Sequence, residues 1–292
     1  MTAYENAIEI NGLTKRYDGF TLNNVTFSVP KGSIMGFIGQ NGAGKSTTIN
    51  ALLGIVKPDS GNIRMLGMET SAGTADIKRK ISAVFDEMPF HDQLNAKMLD
   101  KMLRYIYPTW SSETFFGYLE RFSLPVKKKF GKFSKGMKMK MQISAALSHG
   151  AKLLIMDEAT TGLDPVVRNE ILDIFMEYLQ DEDNTILMSS HITSDLEKIA
   201  DSVTFIDKGR ILLTGYKDDI LASHAVMKCS REDYAAVDRE DYISARLNDF
   251  GAELLVQDRT ACERKYSGAV IDPATLDDIM IYYVNREKKE WS

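Results

Sequence analysis

A glycine-rich segment, GQNGAGKS at residues 39–46, carries the first recognisable chemistry of the chain. It has the G-x-x-x-x-G-K-[ST] spacing of loops that wrap backbone N–H groups around phosphate oxygens, and its glycines permit that close approach. The apolar run SIMGFI before it predicts a buried strand, and the segment from Ser46 to Leu53 predicts a helix that stops at Gly54. We therefore predict that Lys45 reaches the β- and γ-phosphates of a nucleotide and that Ser46 ligates Mg²⁺.

Two adjacent carboxylates, Asp157 and Glu158, follow the apolar run LLIM and end a predicted buried strand. Open α/β sheets bind ligands at this end of their strands, and two acids there make poor core unless a cation neutralises them. We predict that Asp157 holds Mg²⁺ through its water ligands and that Glu158 orients and polarises the attacking water. His191 follows another apolar run, ILM at residues 186–188, and is either a structural histidine or a sensor of the γ-phosphate.

The hydrophobic pattern predicts the elements that position these groups. Residues 5–66 alternate as strands do, and the period becomes helical from Asp86 to Ala146, with Met98, Met102 and Ile106 on one helix face. Beyond the histidine, VTFI and ILL predict a closing strand pair joined at a Lys-Gly turn. Residues 217–292 mix helix and strand signals without recognisable chemistry, which indicates a small accessory domain.

Each of three further sequence features has two possible interpretations. Tyr17, at a predicted strand edge, is either an aromatic plate for a purine ring or a core tyrosine. Seven aromatic residues of the helical region form either a subdomain core or a groove for a partner helix, and both can hold: Phe90, Tyr105, Tyr107, Trp110, Phe115, Phe116 and Tyr118. Seven lysines form either a solvated face or a surface for nucleotide phosphates or anionic lipids: Lys127, Lys128, Lys129, Lys132, Lys135, Lys138 and Lys140.

Bulk composition excludes several classes of protein. The 292 residues include 36 Lys and Arg against 41 Asp and Glu, and the net charge of −5 argues against a nucleic-acid surface spread over the whole molecule. No apolar run approaches the ~20 residues that cross a bilayer, and the polar N-terminus is unlike a signal peptide. The two cysteines, Cys229 and Cys262, are too isolated for a disulfide framework or a zinc pattern, which fits a reducing cytoplasm.

The order of the motifs resembles that of ABC transporter ATPases over roughly residues 5–215. The segment FSKGMK at residues 133–138 is similar to the LSGGQ signature, and DEATTGLDP at residues 157–165 is similar to the Walker B motif and D-loop. His191 matches the switch histidine of this family, and Tyr17 matches its adenine-stacking aromatic residue. Chance is not a serious competitor for five motifs in the right order.

This resemblance implies an α/β P-loop NTPase fold with a mixed sheet core, an antiparallel β-subdomain and a helical subdomain at about residues 86–148. It implies an ATP-binding domain at residues 1–216, followed by an α+β extension at residues 217–292. Two ATP-binding subunits would form a head-to-tail dimer in which Ser134 and Gly136 donate to the γ-phosphate bound by the other subunit. The implied catalytic residues are Glu158, His191 and Lys45, and Ser46, Asp86 and Asp157 are implied for Mg²⁺. The residues implied for ATP are Tyr17, Gly39, Asn41, Gly42, Ala43, Gly44, Lys45, Ser46, Thr47, Ser134, Lys135, Gly136 and Asp164.

The sequence departs from the family pattern at three places. Asp86 stands where the Q-loop glutamine is usual, which keeps a metal-ligating group but adds negative charge near the γ-phosphate. Lys135 and Met137 stand where glycine and glutamine are commonest, and Lys135 is a candidate to compensate for the extra acid. Ala159 replaces a common proline. Because Lys45, Asp157, Glu158 and His191 all remain, we expect an active hydrolase.

The signature, the D-loop and the segment HITSDL also resemble Gram-positive ATPases encoded beside GntR-type regulators, including exporters of phenol-soluble modulin peptides and the YtrB-like group. This favours an ATP-hydrolysing subunit of a peptide exporter, bound to separate permease subunits at the cytoplasmic face of the membrane. The alternatives are a soluble ABC-type ATPase that acts on ribosomes or DNA and a nucleotide-gated regulatory module with weak hydrolysis. A metabolic P-loop kinase is disfavoured, because the signature and the histidine would have no role.

Overall fold

A computed structural model of the chain describes residues 5–70, 74–288 and 290–291. Residues 1–4 lie outside the described residues. They belong to the N-terminal segment whose composition is unlike that of a signal peptide. The first elements are β1 (Asn6–Tyr17), β2 (Phe20–Pro30), β3 (Ile34–Ile38), α1 (Lys45–Leu52), β4 (Ser60–Met65), β5 (Met68–Glu69), α2 (Thr74–Lys80), β6 (Ile81–Phe85), α3 (Ala96–Ile106), α4 (Ser112–Arg121), a short 3-10 helix (Phe130–Lys132) and α5 (Lys135–Leu147). They are followed by β7 (Leu153–Asp157), α6 (Pro165–Tyr178), β8 (Thr185–Ser190), α7 (Thr193–Ile199), β9 (Ser202–Asp207), β10 (Arg210–Tyr216), α8 (Lys217–Ser223), β11 (Ala225–Cys229), α9 (Arg231–Tyr234), β12 (Tyr242–Leu247), β13 (Ala252–Val256), α10 (Arg259–Lys265), β14 (Val270–Pro273), α11 (Leu276–Val284) and β15 (Glu290–Trp291).

A six-stranded mixed sheet, in the order β10-β9-β3-β8-β7-β6, forms the centre of the molecule. Every pair in it is parallel except β9 with β10. Strands β3 and β8 are buried along their whole lengths, as strands covered on both faces must be. Because parallel strands end at one edge of a sheet, the residues that follow β3, β8, β7 and β6 converge there.

A second, antiparallel sheet has the order β2-β1-β4-β5 and covers α1 and one face of the central sheet through a shared hydrophobic cluster. The mixed and antiparallel sheets confirm the predicted α/β class. The predicted loop-to-helix transition is also confirmed, since α1 begins at Lys45 and ends at Leu52, each one residue earlier than expected.

The helical region contains α3, α4 and α5, which begin at the side-chain caps Asn95, Ser111 and Ser134. Phe115 is completely buried in its core. The core interpretation is wrong for Tyr105, which is 85% exposed. The predicted face of α3 exists but points outward: Met98, Met102 and Ile106 all have exposed side chains.

A third sheet of five strands, in the order β14-β11-β13-β12-β15, occupies the C-terminal region together with four helices, α8 to α11. Helix α11 begins with a capping box between Thr275 and Asp278. Its buried residues Leu276 and Ile279 share one hydrophobic cluster with Leu196 and Ile199 of α7, which joins the third sheet to the central core. No helix within the described residues has the length and apolar character needed to cross a bilayer.

Candidate nucleotide site

The phosphate loop lies between β3 and α1 and is fixed against neighbouring backbone. A side-chain Cβ at Gly39 would lie 2.5 Å from the carbonyl oxygen of Ile206, so only glycine fits there. Gly42 and Gly44 have φ values of 80° and 116°, which L-residues rarely adopt. The carbonyl of Ala43 accepts a hydrogen bond of 2.8 Å from the backbone of Gly209, in the turn between β9 and β10.

Lys45 is buried at the base of this loop, with 5% of its side chain exposed. Its Nζ donates to the carbonyl of Gly39 at 2.6 Å and to that of Gln40 at 3.3 Å. The same Nζ lies 3.0 Å from Oε1 of Glu158. The sequence-predicted lysine and carboxylate therefore meet, although 113 positions separate them in the chain (158 − 45).

Glu158 follows β7 in a left-handed conformation, with φ of 55°, which costs a non-glycine residue about 1–3 kcal/mol. Its backbone N–H is held by both the carbonyl and the Oγ of Ser189, at 3.2 and 3.1 Å. Its Oε2 accepts a 2.7 Å hydrogen bond from Oγ1 of Thr161 and lies 2.7 Å from Nδ1 of His191. The strain thus aims the carboxylate at the lysine and the histidine.

The charge state of Glu158 follows from these contacts. Burial opposes ionisation, but the hydrogen bond from Thr161 and the nearby Lys45 ammonium outweigh it, so the pKa of Glu158 lies below its ordinary value. Apart from its ion pair with Lys45, the buried Oε1 has no hydrogen-bond partner among the described residues. An ionised carboxylate with one such oxygen is suited to accept a hydrogen bond from a water molecule.

Asp157 lies beside Glu158, and its Oδ1 accepts a 2.6 Å hydrogen bond from Oγ of Ser189. Sequence reasoning assigned no role to Ser189 or to Thr161, which brace the two acids. Thr161 lies inside the DEATTGLDP segment, and Ser189 lies two residues before His191. No sequence spacing, however, identifies a hydroxyl group that holds a neighbouring carboxylate. The parallel register, which sets Asp157 opposite Ser189, is what reveals the first of these contacts.

The candidate magnesium ligands are hydroxyl and carboxylate oxygens, which are the chemical groups that Mg²⁺ prefers. Ser46, in the first turn of α1, is exposed at the mouth of the phosphate loop. Asp157 ends β7, and Asp86 directly follows the neighbouring parallel strand β6. Mg²⁺ usually keeps several waters and takes one or two protein oxygens together with substrate phosphates, so a serine and a carboxylate suffice. Asn41 is exposed and Thr47 half-buried on the same loop and helix.

Tyr17 ends β1 and is 44% exposed, so the core interpretation is wrong for it. It pairs across the β1–β2 hairpin with Phe20, whose ring would lie 3.1 Å from a Cβ at Gly44. The tyrosine ring therefore lies on the hairpin that abuts the phosphate loop. An exposed aromatic face there is available for stacking on a nucleotide base.

The signature and D-loop residues begin helices. Ser134 caps α5 by accepting from the backbone of Met137 at 3.3 Å, and Asp164 caps α6 by accepting from Val166 and Val167. Both caps are exposed. A Cβ at Gly136 would only touch Val167 at 3.6 Å, so close packing does not require glycine at that position.

Lys135 does not point toward solvent as a free cation. Its Nζ lies 2.5 Å from Oδ1 of Asp86, and the compensating pair suggested by the sequence is present within one chain. Two further lysines of the basic segment also have acidic partners, with Lys140 2.7 Å from Glu170 and Lys138 3.9 Å from Asp92. The basic segment is therefore divided. Lys135, Lys138 and Lys140 have acidic partners, and the other four lysines are exposed: Lys127, Lys128, Lys129 and Lys132.

Comparison with protein-family models matches residues 22–161 to the family described as ABC transporter. The lantibiotic transport ATP-binding protein SrtF of Streptococcus pyogenes is 38% identical over 217 residues, covering 70% of this chain and 89% of SrtF. The bacitracin transport ATP-binding protein BcrA of Bacillus licheniformis is 36% identical, covering 70% of this chain and 68% of BcrA. The ABC transporter ATP-binding protein YtrB of Bacillus subtilis is 32% identical, covering 68% of each.

Solved structures of the same kind share the fold. One described as an ATP binding subunit of an ABC transporter superposes with a TM-score of 0.67 at 29% identity. The superposition covers 73% of this chain and 91% of that one.

Proposed function

The chain belongs to the ATP-binding proteins of ABC transporters, and from this membership we propose that it drives export of an amphipathic or antimicrobial peptide through separate permease subunits. As a family member it binds ATP and is an ATPase coupled to transport. The peptide class is supported by two relatives, SrtF, a lantibiotic transport ATP-binding protein, and BcrA, a bacitracin transport ATP-binding protein. The finer points below are argued from this chain's own residues.

One observation carries the catalytic proposal: Glu158 bridges Lys45 and His191 at 3.0 and 2.7 Å. When the γ-phosphate of ATP enters the loop, its negative charge attracts the lysine away from Glu158. The carboxylate is then free to orient the attacking water and accept its proton, while His191 holds Oε2. Mg²⁺ would be held by Ser46 and Asp157, since Asp86 is paired with Lys135, and it would neutralise charge developing on the phosphates.

The proposed ATP pocket is completed by a second ATP-binding subunit. Tyr17 would stack on the adenine, and the loop residues 39–47 would hold the phosphates. Ser134, Gly136 and Asp164 lie at exposed helix starts, where they can reach a nucleotide bound by a facing copy. In this arrangement ATP holds the two subunits together, and hydrolysis releases them.

The permease would dock against the helical subdomain, within a proposed ATP-binding domain of residues 1–216. Met98, Met102, Tyr105 and Ile106 present exposed apolar groups on α3. Behind them a cavity of about 240 Å³, lined among others by Phe85 and Phe90, opens between β6, α3 and α5. An apolar helix face beside such a cavity suits a short permease helix. Residues 217–292 would form a C-terminal accessory domain, and the protein would lie at the inner face of the membrane through its permease.

Replacing Glu158 by glutamine tests the catalytic proposal. We expect Glu158→Gln to lower kcat by about 10²-fold or more, while ATP binding persists and the protein becomes dimeric with ATP in size-exclusion chromatography. Glu120→Gln, the same change at an exposed position of α4, is the control and should behave as wild type. Turnover of Glu158→Gln at the wild-type rate would show that Glu158 is not the general base.

Purification from membranes tests the transport proposal. We expect the chain to co-purify with a multi-span permease, and ATPase activity of the reconstituted complex to rise with amphipathic peptides but not with sugars or amino acids. Recovery with ribosomes, or as free dimers indifferent to membranes, would favour the soluble or regulatory alternatives.

A further inference from the structure

Helix α5 is attached to the end of β6 at two consecutive residues. The side-chain amide of Gln142, 3% exposed, accepts from the backbone N–H of Phe85 at 3.1 Å and donates to its carbonyl at 3.0 Å. One residue further on, Asp86 forms its ion pair with Lys135, the first residue of the same helix. The middle of α5 is thus held by a buried amide and its beginning by a charge pair.

The Lys135 side chain also lies along a third segment, between the catalytic carboxylate and the start of α6. A Cβ at Gly162 would be 3.3 Å from Nζ of Lys135 and 3.7 Å from its Cδ and Cε. Gly162 has φ of 70°, so a side chain there would be strained as well as crowded. One lysine therefore joins the signature helix, the end of β6 and the loop that follows Glu158.

The electrostatics of α5 explain why this lysine needs an acid. Lys135 occupies the first turn, where the helix dipole disfavours a cation, and the first turn of α5 contains no acidic residue. Asp86 supplies the missing negative charge from another element. Because the pair is about half exposed, at 42% and 46%, salt weakens it, and it can open when another charge competes.

We propose that Lys135 is a positioning residue for ATP hydrolysis that acts through Asp86 of its own chain rather than by touching nucleotide. By holding the first turn of α5 against β6, the pair sets where Ser134 and Gly136 stand before a second subunit closes on ATP. This replaces the expectation, carried by the family resemblance, that Lys135 binds nucleotide directly. The inference rests on the proposed function, because it assigns the pair a part in the same reaction.

A double-mutant cycle on the whole chain tests the proposal. The variants are Lys135→Gln, Asp86→Asn and the double variant that carries both changes. A fourth variant, Lys135→Asp/Asp86→Lys, reverses the two charges. We expect each single change to raise KM for ATP about two- to fivefold, with a smaller effect on kcat, because an exposed pair contributes little energy and acts before bond cleavage. Lys135→Gln should add nothing further in the Asp86→Asn background, and the reversal should restore KM. Lys228→Gln, the same loss of charge from a similarly exposed pair with Asp272 in the C-terminal sheet, is the control and should leave KM unchanged.

Additive effects of the two single changes, or a reversal that is worse than either, would overturn the proposal and favour direct contact of Lys135 with nucleotide. The same cycle, measured by thermal unfolding without nucleotide, should show coupling that disappears at high salt. No coupling in unfolding would overturn the proposal as well. If coupling is present but wild-type protein cleaves no ATP even beside its permease, the proposed function fails and the pair itself stands.

Discussion

The nucleotide end of the central sheet and the C-terminal sheet hold their charged side chains differently. In the first region Lys45 and Glu158 face each other with only 5% and 16% of their side chains exposed. In the second, Lys265 pairs with Asp238 and Asp241 while 47% of its side chain remains in solvent. Both regions contain lysine–carboxylate pairs, but only one removes them from water.

The degree of burial distinguishes the two kinds of lysine–carboxylate pair. Burying a charge pair costs more free energy than most pairs return, so the buried pair beside a strained backbone is the candidate for a catalytic role. Exposed pairs such as those of Lys265 contribute little and are typical of a solvated surface. The C-terminal region instead buries a neutral group, His224, which contacts the hydroxyl of Tyr283 at 3.0 Å and the carbonyl of Ile220 at 2.8 Å.

The largest expected effect comes from removing the lysine of each region. We expect Lys45→Met to lower ATP hydrolysis by about 10²- to 10³-fold, since it removes a donor aimed at the developing phosphate charge. Lys265→Met should leave kcat and KM within about twofold of wild type, because substitutions at solvated pairs are nearly neutral. Steady-state ATPase assays measure both. Similar losses of ATPase activity in the two variants would show that burial of the lysine does not distinguish the two regions.

A second expected effect concerns how firmly the two regions are joined. Ile279 of α11 is fully buried in the cluster that contains α7. Ile279→Ala should lower the free energy of unfolding by about 2–5 kcal/mol. Val270→Ala, at a position 59% exposed on β14, should change it by no more than ~0.5 kcal/mol.

Calorimetry of the same proteins sharpens this comparison. Because α11 and α7 share one cluster, we expect wild-type protein to unfold in a single transition. Two transitions, with only the smaller one shifted by Ile279→Ala, would show that the C-terminal region is an independent folding unit.

The smallest expected effect is a pH dependence from the C-terminal region. Burial lowers the pKa of His224 below its ordinary 6.5, against the opposing hydrogen bond to Ile220. The unfolded chain therefore binds a proton more readily, so stability is fully present above about pH 6.5 and declines as the pH falls below it. His224→Gln should reduce the loss of Tm between pH 7.5 and 5.5, whereas His91→Gln, at an exposed position, should not. Part of the loss should remain, because burial also lowers the pKa of His149.

The central site was largely predictable because its signals are local. The glycine spacing around Lys45, the acids after a buried strand and the histidine after another each follow from rules about one strand and its next turn. Tyr105 and Met98 were not predictable in the same way. Helical periodicity shows that side chains share a face, but only the packing of α3 on its neighbours decides whether that face points inward.

The sequence by itself determined the phosphate loop, the acidic strand end and the order of the motifs, because backbone geometry and strand burial depend on neighbouring residues. Tertiary structure decided which groups meet. Glu158 is aimed at Lys45 by a left-handed backbone held on Ser189, and Lys135 meets Asp86 because α5 packs against β6. Contacts between residues far apart in the chain depend on how whole elements pack, and no local spacing encodes that packing.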